Sequence, residues 1–192
     1  AIVWALTVFT VLYHVAGIGL LGEESAADMQ RIVTRLFVYL LAVLITVLGG
    51  RVIRIEHVGW TAVPGLPAKP RIDVVHEVRD SADEAAYVPA MESAGYVLRI
   101  REPDWFEHRV LKGPDTDVNV HVFTAGCQEV DRMLLFRDWL RENAADRELY
   151  AERKRELADR EWKYMQQYAD AKTAVVDEIM GRASGEEPNP RR

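Results

Sequence analysis

Residues 55–78, IEHVGWTAVPGLPAKPRIDVVHEV, decide the fold. Two β-branched runs, Val52–Val58 and Ile72–Val78, flank a connection carrying Gly59, Pro64, Gly65, Pro67 and Pro70. Proline fixes φ and removes an amide donor, and glycine reaches dihedrals closed to other residues. The segment therefore predicts strand, shaped loop, strand. Side chains alternate along a strand, so Asp73, Val75 and Glu77 share one face of the second run. A carboxylate on a strand beside a glycine-marked turn is one way to hold Mg²⁺ and a phosphate. It is also a common way to end a surface strand, and spacing alone leaves both readings open.

Apart from Trp60, the string HVGWTAVPGLPAKPRID resembles the signature of the GrpB proteins, a nucleotidyltransferase-like group fused behind dephospho-CoA kinase in some actinobacteria. The resemblance continues through VNVHVF (Val118–Phe123), DRMLLFRDWLR (Asp131–Arg141), YAERKREL (Tyr150–Leu157) and YADAK (Tyr168–Lys172), covering about residues 51–183. It implies an α+β fold, a nucleotidyltransferase-like mixed sheet with C-terminal helices. In such folds a Gly-Ser turn opens a helix at the phosphates, and an acidic pair one residue apart on the next strand holds the metal. Gly59 matches the glycine and Asp73 the first acid. The implied ligands are Mg²⁺ and a nucleotide, with Asp73 and His121 in catalytic positions and Asp73 and Glu77 toward the metal. Gly59, Thr61, Lys69 and Arg109 are the implied phosphate contacts. Dephospho-CoA kinase is the implied partner.

Two positions depart from that pattern. Trp60 stands where the family has serine, and an indole offers one N–H but no small hydroxyl. Thr61 supplies a hydroxyl if the turn is shifted by one residue. Val75 stands where an active transferase carries its second carboxylate, and a two-metal clamp needs more ligands than Asp73 alone. Glu77 lies roughly 6–7 Å further along the strand than that position. His121 completes a site only if its strand lies beside Asp73.

The 192-residue chain is long enough for one well-buried domain plus an appendage. Its 24 basic and 30 acidic residues give a net charge of −6, which argues against general nucleic-acid binding. Cys127 is the only cysteine, so a disulfide framework and a cysteine zinc cluster are excluded, and a buried thiol is expected.

Composition changes at about residue 50. Ala1–Leu21 has no charged side chain, and Ile32–Gly50 is interrupted only by Arg35. Runs of about 20 apolar residues suit bilayer-spanning helices. The short polar connection Gly22–Arg31 suggests a two-helix transmembrane hairpin over residues 1–50, or a pair packed on a partner subunit. A pair of soluble core helices is the plainer reading. Arg51 and Arg54 after the second run, against Glu23, Glu24 and Asp28 before it, place the globular part of a membrane-associated chain on the cytoplasmic side.

Further along, Asp80–Gly95 reads as a helix interrupted at Pro89. Tyr96–Ile100, Phe106–Leu111 and Val118–Thr124 read as strands. Residues 128–183 are helical by spacing, and 184–192 form a disordered tail. His108, Arg109, Lys112 and His121 have two readings: a set that places positive charge and proton donors near a phosphate at Gly59 and Asp73, or a structural role, with Arg109 and Lys112 as edge-strand charges and His121 as a half-buried strand residue. Arg153, Lys154 and Arg155 form a basic cluster on an otherwise solvated helix.

Three function classes follow: a nucleotide- or phosphate-binding module with weak or lost transfer activity, an active Mg²⁺-dependent nucleotidyltransferase, and a non-catalytic accessory subunit of a membrane complex.

Overall fold

A computed structural model describes residues 26–66, 71–114, 117–158, 160 and 165–185. Five strands form one mixed sheet: β1 (Arg54–Val58), β2 (Ile72–Val78), β3 (Val97–Glu102), β4 (His108–Lys112) and β5 (Val118–Thr124). Their order is β1-β2-β5-β4-β3, and β2 with β5 is the parallel pair. The other neighbours run antiparallel. The helices are α1 (Ala26–Leu48), α2 (Val88–Ser93), α3 (Gln128–Glu142), α4 (Ala144–Ala158) and α5 (Met165–Ala183). The architecture is mixed α/β, with α1 and α2 on one face of the sheet and the C-terminal helices on the other.

The first face is almost wholly apolar. Ile72, Val74 and Val78 of β2 and Val118, Val120 and Val122 of β5 meet Leu40, Leu44 and Leu48 of α1, with Tyr87, Met91 and Tyr96 filling the side. Those leucines recur every four residues, which places them on one helical stripe. The expected transmembrane hairpin is therefore corrected. There is one apolar helix among the described residues, long and apolar enough to cross a membrane (Ile32–Arg51, mean hydropathy 2.3). Its inner stripe covers the sheet instead. Lipid would bury those leucines equally well, but would leave the sheet valines bare. Each such side chain stabilises by about 1.5–3 kcal/mol when buried. The helix thus belongs to the domain, which begins before residue 51. The first limb, 1–21, lies outside the described residues.

Two local expectations also change. The helix expected over Asp80–Gly95 is a 3-10 turn (Glu84–Ala86) followed by the six-residue α2. Pro89 sits in the first turn of α2, where its missing N–H costs nothing, so it starts a helix and does not break one. The preceding residues are held by side chains: Asp80 Oδ1 accepts from the Ala82 amide, and Tyr87 Oη donates to the Ser81 carbonyl. Of the expected tail, Ser184 and Gly185 form a turn after α5, and residues 186–192 lie outside the described residues.

On the second face Val58, Val75 and Phe123 pack under Val130 and Leu134 of α3. Arg137 ties α3 to β1: Nη1 donates to Glu56 and to the His57 carbonyl, while Nε and Nη2 donate to Asp138. Asp146 joins the three helices, accepting from Trp139 of α3 and Arg182 of α5.

Two histidines lie inside the apolar layer. His76 is fully buried, with neither ring nitrogen hydrogen-bonded. His57 stacks on Phe37 of α1. Burial pushes both down to about 4, so both are neutral at pH 7. Between pH 6.5 and about 4.5 the unfolded chain takes up protons at these sites and the folded chain does not. Stability therefore falls as pH falls, by about 2–3 kcal/mol for each histidine. Urea titrations across this range should show the decline, and His76→Leu should remove about half of it. An unchanged slope in that variant would contradict the account.

Candidate functional site

The site grows from the pairing of β1 with β2, which sets Val58 opposite Asp73. The next residue, Gly59, bends the chain with φ +73°. A Cβ there would lie 2.8 Å from Asp73 Oδ2 and 3.3 Å from Asp73 Cβ, so only glycine lets the backbone come this close to the carboxylate. The expected juxtaposition of aspartate and glycine bend is present.

The parallel pairing of β2 with β5 sets Asn119 beside Asp73 and His121 beside Val75. Asn119 Nδ2 donates to Asp73 Oδ1 at 2.7 Å, and His121 Nε2 lies 3.6 Å from the same oxygen. Lys112 orients the amide, with Nζ 3.2 Å from Asn119 Oδ1 and a second contact to Asp117. Burial alone would raise the Asp73 pKa. Hydrogen bonding from His121 and Asn119, with the charges of His121 and Arg71, outweighs it and holds the carboxyl below its usual range.

Between this part of the sheet and α3–α5 lies a cleft of about 310 Å³. Gly59, Asp73 and His121 line the sheet side, with Arg132 from α3 and Lys172 from α5 across from them. Burial lowers the Lys172 pKa, and the charge of Asp73 opposes the shift. Trp60 forms one wall. Its indole stacks on Tyr150 at 4.7 Å and 6°, and the ammonium groups of Lys154 and Lys172 sit 3.5 and 4.6 Å from its ring centroid. The basic cluster of α4 therefore divides. Lys154 turns to Trp60, while Arg153 pairs with Glu156 and Arg155 with Glu148.

Several sequence-nominated residues are not brought to this cleft. Thr61 is buried, and its hydroxyl donates to the Arg71 carbonyl while accepting from His57 Nε2. It has no hydroxyl proton left for a phosphate. Arg109 faces the other side of the sheet, paired with Glu84 and Glu107. Glu77 shares the strand face with Asp73 but lies roughly 13 Å along it. It accepts from the Gly126 amide and pairs with Arg54. Lys69 lies outside the described residues. Val75 is fully buried beneath α3, so the position of a second acid is filled by core.

This donor set does not fit a two-metal transferase centre. Among the described residues no group of three His, Cys, Asp or Glu side chains is placed to hold a metal ion. One Asp73 carboxylate with an amide and an imidazole is a hydrogen-bonding triad. Lys172, Asn119 and Arg132 of the site had no role assigned from the sequence. Lys172 ends the YADAK string and Asn119 sits within VNVHVF, so both were visible as motif members without an assigned role. Lys112 had both a phosphate-site and an edge-charge reading, and its contact to Asn119 exists only once β4 and β5 pair.

Gly59→Ala should cost about 1–3 kcal/mol in urea unfolding, from left-handed strain plus the clash with Asp73. A loss below about 0.5 kcal/mol would mean that the bend and the carboxylate are not in tight contact.

Comparison with known proteins agrees with this frame. The family model described as GrpB protein matches residues 25–182, from the residue before α1 to one residue short of the end of α5. A UPF0157 protein of Halalkalibacterium halodurans is 63% identical over 139 residues, covering 72% of this chain and 71% of that protein. A UPF0157 protein of Streptomyces coelicolor is 46% identical over 134 residues, 70% of each. A dephospho-CoA kinase of Mycolicibacterium paratuberculosis is 31% identical over 143 residues, 61% of this chain but 33% of that enzyme. The crystal structure of GrpB from Enterococcus faecalis superimposes with a TM-score of 0.69 at 28% identity, covering 80% of this chain and 93% of that one. The chain belongs to the GrpB family.

Proposed function

We propose that this protein is a nucleotide- or phosphate-binding domain of nucleotidyltransferase type in which transfer chemistry is weak or lost. The observation that carries the reading is the cleft itself. Asp73 is pressed against the Gly59 bend on one side, and the cationic side chains of Lys172 and Arg132 face it from the helices. Lys172 supplies positive charge for a phosphate, while Arg132 already pairs through Nε with Glu129 of the same cleft and has only its remaining donors to offer. Asn119, His121 and Asp73 offer donors and an acceptor suited to a sugar or base edge. The Trp60–Tyr150 stack gives an apolar wall of the kind that orients a small ligand. The second carboxylate that in-line transfer needs is absent at Val75. The Mycolicibacterium relative, whose name is that of a kinase, carries a matching region in a third of its length. That supports a role beside nucleotide chemistry, with dephospho-CoA kinase as the partner by analogy.

The test is calorimetric titration with nucleoside triphosphates, with and without Mg²⁺. The full chain should bind, and Lys172→Ala should weaken binding about tenfold, or about 1.4 kcal/mol. Nucleotidyl transfer should stay near background. No binding of any nucleotide under either condition would end this reading, and fast transfer would replace it with the active-enzyme alternative.

One observation favours a second reading, an accessory subunit at a membrane with the domain on the cytoplasmic side. The outer row of α1 is apolar, with Val38 57% and Ile45 49% exposed. On this reading α1 keeps its inner stripe on the sheet and offers the outer row to lipid or to a membrane partner. The full chain should then float with liposomes, and Val38→Lys/Ile45→Lys should abolish flotation. A chain that stays in the soluble fraction would dismiss the lipid-bound form.

A further inference from the structure

The two oxygens of Asp73 are not equivalent. Oδ1 accepts from Asn119 Nδ2 at 2.7 Å and lies 3.6 Å from His121 Nε2. Oδ2 accepts no hydrogen bond among the described residues. It lies against the Gly59 bend, 2.8 Å from the point where a side chain at 59 would begin. The missing Cβ therefore does more than permit a close approach. It leaves Oδ2 uncovered on the sheet side of the cleft, where Gly59, Asp73 and His121 are all part of the lining. An ionised carboxylate only accepts, so a half-buried oxygen without a donor calls for one from outside the chain.

A metal ion, an ammonium or a hydroxyl could fill that place, and the cleft distinguishes them. A metal ion would find one open carboxylate oxygen, because Oδ1 is held by an amide and Glu129 is paired with Arg132. Mg²⁺ demands a near-octahedral set of oxygens. An ammonium on the ligand would share the cleft with Lys172 and Arg132. A neutral hydroxyl meets the need of Oδ2 without further ligands and without further positive charge. We infer that Asp73 Oδ2 accepts a hydroxyl of the ligand's sugar, so that the cleft takes a ribonucleotide in preference to its dideoxy analogue. The inference rests on the phosphate reading and specifies the ligand class within it.

The second hydroxyl of a vicinal pair also has a partner. His121 Nε2 is too far from Asp73 for a strong hydrogen bond and lines the same cleft. A hydroxyl both donates and accepts, so it pairs with Nε2 in either tautomer. Val63, Leu66, Met133 and Phe136 supply apolar lining of the kind that takes a base, and Lys172 faces the sheet from α5 with charge for the phosphate. A site that hydrogen-bonds a substrate hydroxyl rejects the analogue lacking it, because its own polar group is then left unpaired. The Asp73 side chain is 17% exposed, so water recovers part of that loss.

The test is calorimetric titration of the full chain, in EDTA, with ATP and with 2′,3′-dideoxy-ATP. ATP should bind roughly ten- to hundredfold more tightly, the range for a hydrogen bond to a charged group. Asp73→Asn should remove most of that ratio. The comparison of the two nucleotides needs only the parent chain, so it stands even if the variant does not fold. Equal affinity for both would overturn the sugar assignment and leave the phosphate reading intact. A ratio unchanged in folded Asp73→Asn would give the hydroxyl to another residue and overturn it as well. Discrimination that appears only when Mg²⁺ replaces EDTA would make Oδ2 a metal ligand, against the inference. If neither nucleotide binds, with or without Mg²⁺, the phosphate reading fails and the inference falls with it.

Discussion

The contact between a backbone bend and a carboxylate organises this molecule. Gly59 leaves β1 in a left-handed conformation directly against Asp73 on β2. A side chain at 59 would push the bend outward, and with it Trp60 and the loop that packs Val63 and Leu66 against α3, α4 and α5. Asp73 in turn fixes Asn119 across the parallel β2–β5 pair. One absent methyl group thus links the edge of the sheet, its centre and the helical cover.

The charges around this contact divide into those that hold elements together and those that face the cleft. Arg137 and Arg109 are buried guanidinium groups whose donors are spent on carboxylates and carbonyls. Such pairs are expensive to break because removing one partner leaves a buried charge uncompensated. They join α3 to β1 and β4 to the turn before α2, and so brace the sheet from both sides. Lys172 has no such carboxylate within bonding distance among the described contacts. It lies over an indole, where the ring quadrupole offsets part of the desolvation cost without using up its donors. Its donors therefore remain directed at the cleft.

Much of this was readable in the chain. Proline and glycine between two β-branched runs specified the β1–β2 connection, and period-two alternation placed Asp73 and Glu77 on one face. Strand rise already set Glu77 apart from Asp73, but nothing in the chain showed that its carboxylate is taken by the Gly126 amide and Arg54. Arg109 was misplaced for the same kind of reason. A side chain's face follows from register with the neighbouring strand, and register was unknown. The apolar run in α1 misled through composition. Its four-residue leucine spacing marked a core stripe, but Val38, Leu41 and Ile45 on its outer side made the helix look apolar all round. Residue type alone cannot say which of two apolar faces the sheet will take.

The replacement of a small hydroxyl by Trp60 then acquires a physical meaning. A serine after Gly59 would leave open space above Tyr150. The indole fills that space, stacks on the phenol ring and gathers two lysine ammonium groups within 5 Å of its centroid. Hydrogen bonding to phosphate by a hydroxyl is directional and local. On the proposed reading, the Lys172 ammonium beside the indole would instead attract an anion through charge, with looser geometric demands. Val75 completes the exchange, because an apolar residue beneath Val130 and Leu134 strengthens the packing of α3 where a second carboxylate would have weakened it. The two departures therefore act in the same direction. Both put packing side chains where transfer chemistry would need directional ligands, and both use those positions to bind the helices to the sheet.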